Sequence, residues 1–370
     1  MSMQAMMSVY FDKIRDQRPE YETAVTIWTD NLSPELERLE AERKTVISRA
    51  YKRTAMAAGA VIFVLILISI ATRGAFIFPF GLFAGALAIA VASVALWVPV
   101  FAMKSQTKQL VVSAACEPFG FRYDTLHPDM SGVSDLRSLG TWIKNNSGAG
   151  MNSMKAFNFA GQDSEFPTPA FPRLKEAGLM TSYDNCKFED LIEGRRADAD
   201  FTLVECKLTE QQGSGKNRRT VTKFQGLLLN IEYPEPFLGR TIIARDKWWK
   251  RGKGSGDLQR VDLVSKELED AFTVHSTDQV EARTLLTPDR MERLLALERH
   301  FKGGKLRGIF EDGHMTLALE AKDQFEAGSV FKPLVDPERF ITTLTEIGLV
   351  CDLIDGFLTR DWAKDKLSGA

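Results

Sequence analysis

Thr54-Ala-Met-Ala-Ala-Gly-Ala-Val-Ile-Phe-Val-Leu-Ile-Leu-Ile-Ser-Ile-Ala-Thr72 runs for 19 residues without a charge. At the usual helical rise this is about 28 Å, close to the hydrocarbon thickness of a bilayer. Arg73-Gly74 interrupts it, and a second charge-free run of 29 residues follows from Ala75 to Met103. The second run is long enough to span even if Pro79 ends its first turn and Pro99 tilts its last. A cleavable leader is short and N-terminal, whereas 53 mostly polar residues come first here. Core helices of a soluble domain rarely show back-to-back charge-free runs of this length. The reading is a transmembrane helical hairpin over residues 54–103, with spans at about 54–72 and 76–102.

Orientation follows from the flanking cations. Arg43, Lys44, Arg49, Lys52 and Arg53 precede the first span, Lys104 and Lys108 follow the second, and the connector carries only Arg73. The positive-inside rule then places both termini in the cytoplasm. Three parts result: an N-terminal cytoplasmic helical arm (1–53), the hairpin (54–103) and a cytoplasmic region (104–370) large enough for a real core.

The arm is neutral, with nine Lys and Arg against nine Asp and Glu. Residues 104–370 carry 37 cations and 40 anions, a net of −3. A dedicated nucleic-acid binder would be clearly basic, so no nucleic-acid partner is expected. Cys116, Cys186, Cys206 and Cys351 lie far apart with no metal spacing, which suits a reducing compartment.

The arm opens with Tyr10-Phe11-Asp-Lys-Ile-Arg-Asp, read as a short helix, and pauses at Asp30-Asn31. Ser33-Pro34-Glu35 then reads as a helix start, with Ser as cap and Pro in the first turn. From there one helix is expected to enter the membrane. Leu36, Leu39, Val46 and Ala50 share a stripe completed by Arg43, a seam for either a short coiled coil or the cytoplasmic domain. Within the second span, Gly81 and Gly85 form a GxxxG pair, which lets helices approach closely. It serves packing of one span on the other, or a homo-oligomer. Neither span holds an ionisable residue, which disfavours a transport pathway.

After Lys104 the helix is expected to persist to about Ala115, with a strand at Phe119–Tyr123. Leu136, Leu139 and Ile143 are spaced as a short helix with Trp142 beside it, and Asn145–Pro172 reads as a surface loop. From Asp200 the pattern turns to strands: Phe201–Leu208, a polar turn at Glu210–Asn217, and a return through Val221–Phe224 and Leu227, Leu229 and Ile231. Further strands are expected at Thr241–Ala244 and near Phe272–His275. Thr287-Pro288-Asp289 starts a helix that Gly303 ends. Asp312-Gly313 is a two-residue hairpin turn pairing Phe310 with Met315, Gly308 with Leu317 and Leu306 with Leu319. Asp336-Pro337-Glu338 opens a last helix whose Phe340, Leu344, Ile347, Cys351, Ile354 and Leu358 line one stripe. Antiparallel strands with separate helices make the class α+β, a mainly antiparallel sheet with flanking helices behind the two-span hairpin.

Pro169-Ala-Phe-Pro-Arg-Leu-Lys-Glu-Ala-Gly-Leu179, Gly226-Leu-Leu-Leu-Asn-Ile-Glu-Tyr-Pro234 with Gly239-Arg-Thr241, and Asp278-Gln-Val-Glu-Ala-Arg283 with Leu286-Thr-Pro288 resemble a bacterial membrane family, domain of unknown function 3137. The resemblance implies the same architecture and a bacterial plasma (inner) membrane location. It brings no activity, catalytic residue or cofactor.

No motif assigns chemistry. Gly213-Ser-Gly-Lys216 lacks the residues of a phosphate loop, since Glu210 and Asn217 stand where Gly and Ser or Thr are needed. It reads as a hairpin tip. His127, His275, His300 and His314 have no ligand spacing, and no nucleophile motif appears. Asp352 and Asp355 are explained by a solvated face or a helix contact. No catalytic, cofactor-binding or metal residue is therefore named, and no cofactor is expected. One asymmetry remains. Residues 207–223, including Lys216, Arg218 and Arg219, carry a net of +4, and residues 240–260 a net of +5. In the second stretch Trp248 and Trp249 sit among Lys247, Lys250, Arg251 and Lys253. Cations near an anionic leaflet contribute on the order of 1 kcal/mol each, and Trp favours the headgroup zone. This marks a candidate surface for docking on the membrane or an acidic partner. The expected function is a membrane-anchored interaction or scaffold module with protein partners in the envelope. The alternative is a membrane-associated enzyme acting on lipid or protein.

Overall fold

The computed structural model describes residues 11–71, 81–126, 166–233, 236–245, 257–263, 266–301, 305–322, 324–326 and 328–358. Tyr10, the Arg73-Gly74 connector, Pro79, the expected helix at Leu136–Ile143 and Gly303 lie outside the described residues. The described residues divide into two compact units. The first comprises residues up to Ala114 with 328–340, and the second residues from Ala115 to 326 with 341–358.

In the first unit, α1 (Glu20–Thr26) leads through a π-helical turn (Ile27–Leu32) into α2 (Ser33–Ala71). The expected pause at Asp30-Asn31 does not occur. The wide turn takes up an extra residue and keeps Ile27, Trp28 and Leu32 on the buried side, in step with Leu36 and Leu39. Trp28 is fully buried, its ring centroid 5.7 Å from that of Phe340 and 6.5 Å from that of Phe11. Of the short helix expected over Tyr10–Asp16, the described residues show Phe11 helical, followed by a 3-10 turn at Arg15–Gln17. Beyond the apolar run, α3 (Leu82–Cys116) continues to Cys116, as expected.

The stripe on α2 finds its partner within this unit. Leu39 packs with Met103 and Leu334, and Ala50 with Val100 and Val330. Arg43 is buried, pairs with Glu40 at 2.7 Å and donates from Nη1 to the Val330 carbonyl at 3.1 Å. Glu40 also accepts the Leu334 backbone N–H at 3.0 Å, and the hydrogen bond from Arg43 holds its carboxyl below the usual range. The seam therefore receives a segment almost 300 residues further along the chain.

In the second unit a nine-stranded antiparallel sheet is formed among the described residues, in the order β1-β2-β3-β4-β9-β8-β5-β7-β6. Its strands are β1 (Arg122–Thr125), β2 (Asn185–Arg196), β3 (Ala199–Gln212), β4 (Arg219–Glu232), β5 (Thr241–Ala244), β6 (Gln259–Val261), β7 (Thr273–Ser276), β8 (Arg307–Glu311) and β9 (His314–Glu320). The Asp312-Gly313 hairpin is in the expected register, pairing Phe310 with Met315 and Gly308 with Leu317. Both turn residues have positive φ, 52° and 72°. Three expectations are corrected. The run of long strands begins at Asn185 rather than Asp200, because β2 and β3 meet through Ala197-Asp198, also at positive φ but without a turn signature. The strand expected at Phe119–Tyr123 starts at Arg122, after a 3-10 turn at Glu117–Phe119. The loop expected through Pro172 ends earlier, at α4 (Ala170–Glu176), which buries Phe171 and Leu174.

Helices cover both faces of the sheet. Phe171 and Leu174 of α4 join Val204, Leu208, Phe224, Leu228, Ile309 and Ala318 in one core. On the other face Phe357 of α8 (Pro337–Leu358) meets Phe310, ring centroids 5.9 Å apart. Gly226–Ile231 is therefore buried continuously rather than alternately. At Gly226 (φ +155°) an added Cβ would lie 2.0 Å from the Leu319 carbonyl oxygen, so only glycine fits. Between the sheet strands lie α5 (Lys266–Ala271), α6 (Gln279–Leu285) and α7 (Pro288–His300), the last capped by Thr287 as expected. Arg290 of α7 donates to the Gly356 and Phe357 carbonyls at 3.1 and 3.0 Å, and Arg293 to the Asp352 carbonyl at 3.2 Å. Gly356 and Phe357 lie in the last turn of α8, where Arg290 meets their carbonyls and opposes the helix dipole, while Arg293 adds a second tie to the helix at Asp352. Asp355 pairs with Arg196 of β2 (Nε to Oδ1, 2.7 Å), a helix contact rather than a site.

Glu346 on α8 accepts the backbone N–H of Phe325, a residue at φ 53°, and burial raises its pKa from 4.5 to about 7. The neutral carboxyl is thus favoured in the folded state. Below the unfolded pKa both states are protonated, and as pH rises toward 7 the folded state loses stability, on the order of 1–3 kcal/mol. Thermal midpoints in mild detergent should fall for the native chain relative to Glu346→Gln between pH 5 and 8. Parallel curves would contradict this assignment.

Candidate docking surface

The two basic stretches leave the sheet at the same end. β9 ends at Glu320 opposite Gly226, and the β3–β4 hairpin continues past it to the Gln212–Arg219 pair. β5 ends beside β8 at the Ala244–Arg307 pair, which brings residue 245 and the start of the Trp-containing loop to that end. The chain re-enters at Gln259, opposite Ser276, at the other end of the sheet. Antiparallel topology, invisible in the linear chain, makes this juxtaposition.

At this end Arg218 and Arg219 are exposed on the hairpin, and Lys216 lies in its 3-10 turn, as expected of a hairpin tip. Lys223 pairs with Glu210 at 2.9 Å. Lys305 and Arg307 both reach Glu320, at 3.5 and 3.1 Å. Arg307 is fully buried, its guanidinium 5.0 Å from the Phe224 ring centroid, and burial lowers its pKa against the opposing pull of Glu320. Its sequence signal was a cation inside the apolar run Leu306-Arg-Gly-Ile-Phe310.

The structure also separates residues that were counted together. Arg240 sits at the opposite end, 3.4 Å from Glu311. Arg245 pairs with buried Glu298 at 2.7 Å and lies 5.2 Å from the Phe272 ring centroid, so it anchors the stem of the loop. Lys247, Trp248, Trp249, Lys250, Arg251 and Lys253 lie outside the described residues.

Gly81 and Gly85 are both buried. A Cβ on Gly85 would come within 2.5 Å of Leu65 Cδ1 and 3.5 Å of Val61 Cγ1, so α3 packs on α2 at this glycine. At Gly85 the contact is intramolecular.

Among the described residues no group of three or more His, Cys, Asp or Glu could hold a metal ion. His314 Nδ1 is 3.3 Å from Asn230 Nδ2, and burial lowers the pKa of both His314 and His275. His300 stacks edge-on against Phe301, and His127 lies outside the described residues. All four cysteines are buried free thiols; Cys186 and Cys206 lie 3.9 Å apart, and burial pushes Cys116 up to about 12. An open groove of about 460 Å³ between α5 and α7 is lined by Leu268, Pro288 and Leu295 with acids and arginines of both signs. The His and Cys groups displaced by burial do not line it.

Residues 222–358 match the family model described as protein of unknown function (DUF3137). The match runs from within β4 to the end of α8 and includes two of the three motif stretches that carry the resemblance. No curated protein matches the chain. Among solved structures, the crystal structure of the mycobacterial trehalose monomycolate transport factor A, TtfA, is similar at 8% identity and a TM-score of 0.29. The alignment covers 68% of this chain and 97% of that one, and likeness at this level carries no inference.

Packing at Gly85 generates a prediction. Gly85→Leu should destabilise the full chain in detergent by about 1–3 kcal/mol through overpacking, while Gly59→Leu, where an added Cβ meets nothing within 4 Å, should be near neutral. If Gly85 instead served an interface between copies, its substitution would change the oligomer mass and leave the monomer's melting temperature alone.

Proposed function

We propose that this chain is an integral protein of the bacterial plasma membrane and an interaction or scaffold module for other envelope proteins. Two spans, at about 54–72 and 76–102, hold it with both termini cytoplasmic, and its basic, Trp-containing loop docks on the inner leaflet. The observation that carries the reading is the apolar stretch of α2. It is long and apolar enough to cross a membrane, and none of its most apolar window is buried. Met56, Ile62, Phe63, Ile66, Leu67 and Ile70 are each more than half exposed, as are Phe83 and Leu87 on α3. A soluble protein rarely leaves so large a continuous apolar surface in water, and a helix satisfies its own backbone in lipid.

Val98, Val100, Ala102 and Met103 are buried while Phe101 among them is 54% exposed, so the last uncharged turns of α3 set one face against protein and keep another outward. An interaction module rather than an enzyme is supported by what fills the second unit. Polar groups between its elements serve structure: Arg290 and Arg293 hold carbonyls of α8, Arg196 holds Asp355, and Arg245 holds the buried Glu298.

Purifying the tagged full-length protein from membranes in mild detergent, with mass spectrometry of what remains bound, tests this reading. A reproducible protein partner is expected, with less of it recovered when Trp248 and Trp249 are changed to Ala and Lys250 and Arg251 to Glu. A stoichiometric lipid or small molecule in place of a protein would overturn the scaffold reading in favour of the enzyme.

A further inference from the structure

We infer that the loop 328–333, between the sheet and the last helix, is a third membrane contact, with Phe331 entering the headgroup boundary of the inner leaflet beside Tyr51 and Trp97. The inference rests on the two-span reading above and adds to it a lipid-binding element that lies far from either span in sequence.

Three observations within the first unit carry it. The segment is strapped to the anchor helices: Val330 is buried against Ala50 and Val100, and its carbonyl accepts from Arg43 at 3.1 Å. Four residues on, Leu334 is buried against Leu39 and Met103, and its N–H is held by Glu40. Between these two fixed points Phe331 is turned outward, 56% exposed, and Lys332 beside it is exposed as well. An exposed Phe next to an anchored residue is a presented side chain, not a frayed one.

The neighbours of Phe331 set its level. Its ring centroid lies 6.0 Å from that of Trp97, and Trp97 meets Tyr51 edge-on at 4.9 Å. The Trp97 indole N–H donates to the Thr54 hydroxyl at 3.2 Å. Thr54 is the first residue of the charge-free run, directly after Lys52 and Arg53. The three rings therefore gather where the apolar surface of the helices gives way to cations. Tyr and Trp favour this zone because one end of each ring system is apolar and the other can hydrogen-bond to water. Lys332 supplies a further positive charge at the same level, complementary to an anionic leaflet. The surface of Phe331 continues the lipid-facing surface of α2 and α3, so the occupant is the bilayer itself.

The test uses the full-length chain in proteoliposomes of phosphatidylethanolamine and phosphatidylglycerol. A nitroxide label is placed at Phe331→Cys or, as a second variant, Lys332→Cys; the four native cysteines are buried. Collision with lipid-soluble oxygen is compared with collision with a water-soluble nickel chelate. Leu67→Cys, on the exposed apolar surface of α2, is the reference for lipid, and Ser214→Cys, at the exposed hairpin tip, the reference for water. The oxygen-to-nickel ratio at 331 should exceed that at 214 several-fold, with 332 intermediate. A water-like ratio at both 331 and 332, with Leu67 lipid-like, would overturn the loop contact alone. A water-like ratio at Leu67 would overturn the membrane anchor and the loop contact together.

Discussion

A charge-free stretch of helix that keeps its side chains outward imposes the constraint on which the rest of this chain depends. Burying apolar surface is worth roughly 25 cal/mol for each Å² removed from water. Among the described residues the outward side chains of α2 find no protein to cover them, and under the two-span proposal lipid is what covers them. Only a helix can meet that demand as a single pass, because its backbone needs no partner. What lies on either side of the apolar stretch follows from it. Cations collect where the run begins and ends, aromatic rings gather with them, and Val100 and Met103 in the last turns of the run on α3 pack against Val330 and Leu334.

The second unit obeys a different constraint. A sheet buried on both faces must be closed by helices, and α8 does so only if its C-terminal carbonyls are satisfied. Arg290 meets that need from α7, and Tyr233 donates its hydroxyl to the Phe357 carbonyl at 2.9 Å. The sheet in turn decides which surfaces coincide. Because β5, β8, β9 and β4 are all antiparallel neighbours, the end of β5 and the tip of the β3–β4 hairpin share one end of the unit. The basic character of that end is a product of topology, and its net charge is smaller than the linear counts suggest, since Arg240 lies elsewhere and Arg245 is paired.

Local chemistry was legible in the sequence, and long-range chemistry was not. The turn at Asp312-Gly313, the cap at Thr287 and the apolar stripe of α8 each rest on residues within a few positions of one another, and each stands in the structure. The β2–β3 hairpin was missed because Ala197 carries no preference for the positive φ it adopts, and a bulge between Phe188 and Leu191 breaks the alternation of β2. The break expected at Asp30-Asn31 failed because Trp28 and Leu32 are worth more buried than the helix loses by widening one turn. For the α2 seam, the stripe itself was visible. Its partner, Val330, could be found only in three dimensions. The same holds for the candidate surface: Arg218 and Arg219 were flagged correctly as exposed cations, while the buried Arg307 and the Arg245–Glu298 anchor needed the fold.

The central claim is that α2 and α3 form a membrane hairpin with its connector outside and both flanking regions on the cytoplasmic side. It is tested most directly by single cysteines at Ala75, in the connector, and Ser214, at the hairpin tip, challenged with a membrane-impermeant maleimide in spheroplasts. The account predicts labelling at 75 in sealed spheroplasts and at 214 only after permeabilisation. Labelling of 214 in sealed spheroplasts, or equal behaviour of the two positions, would contradict it.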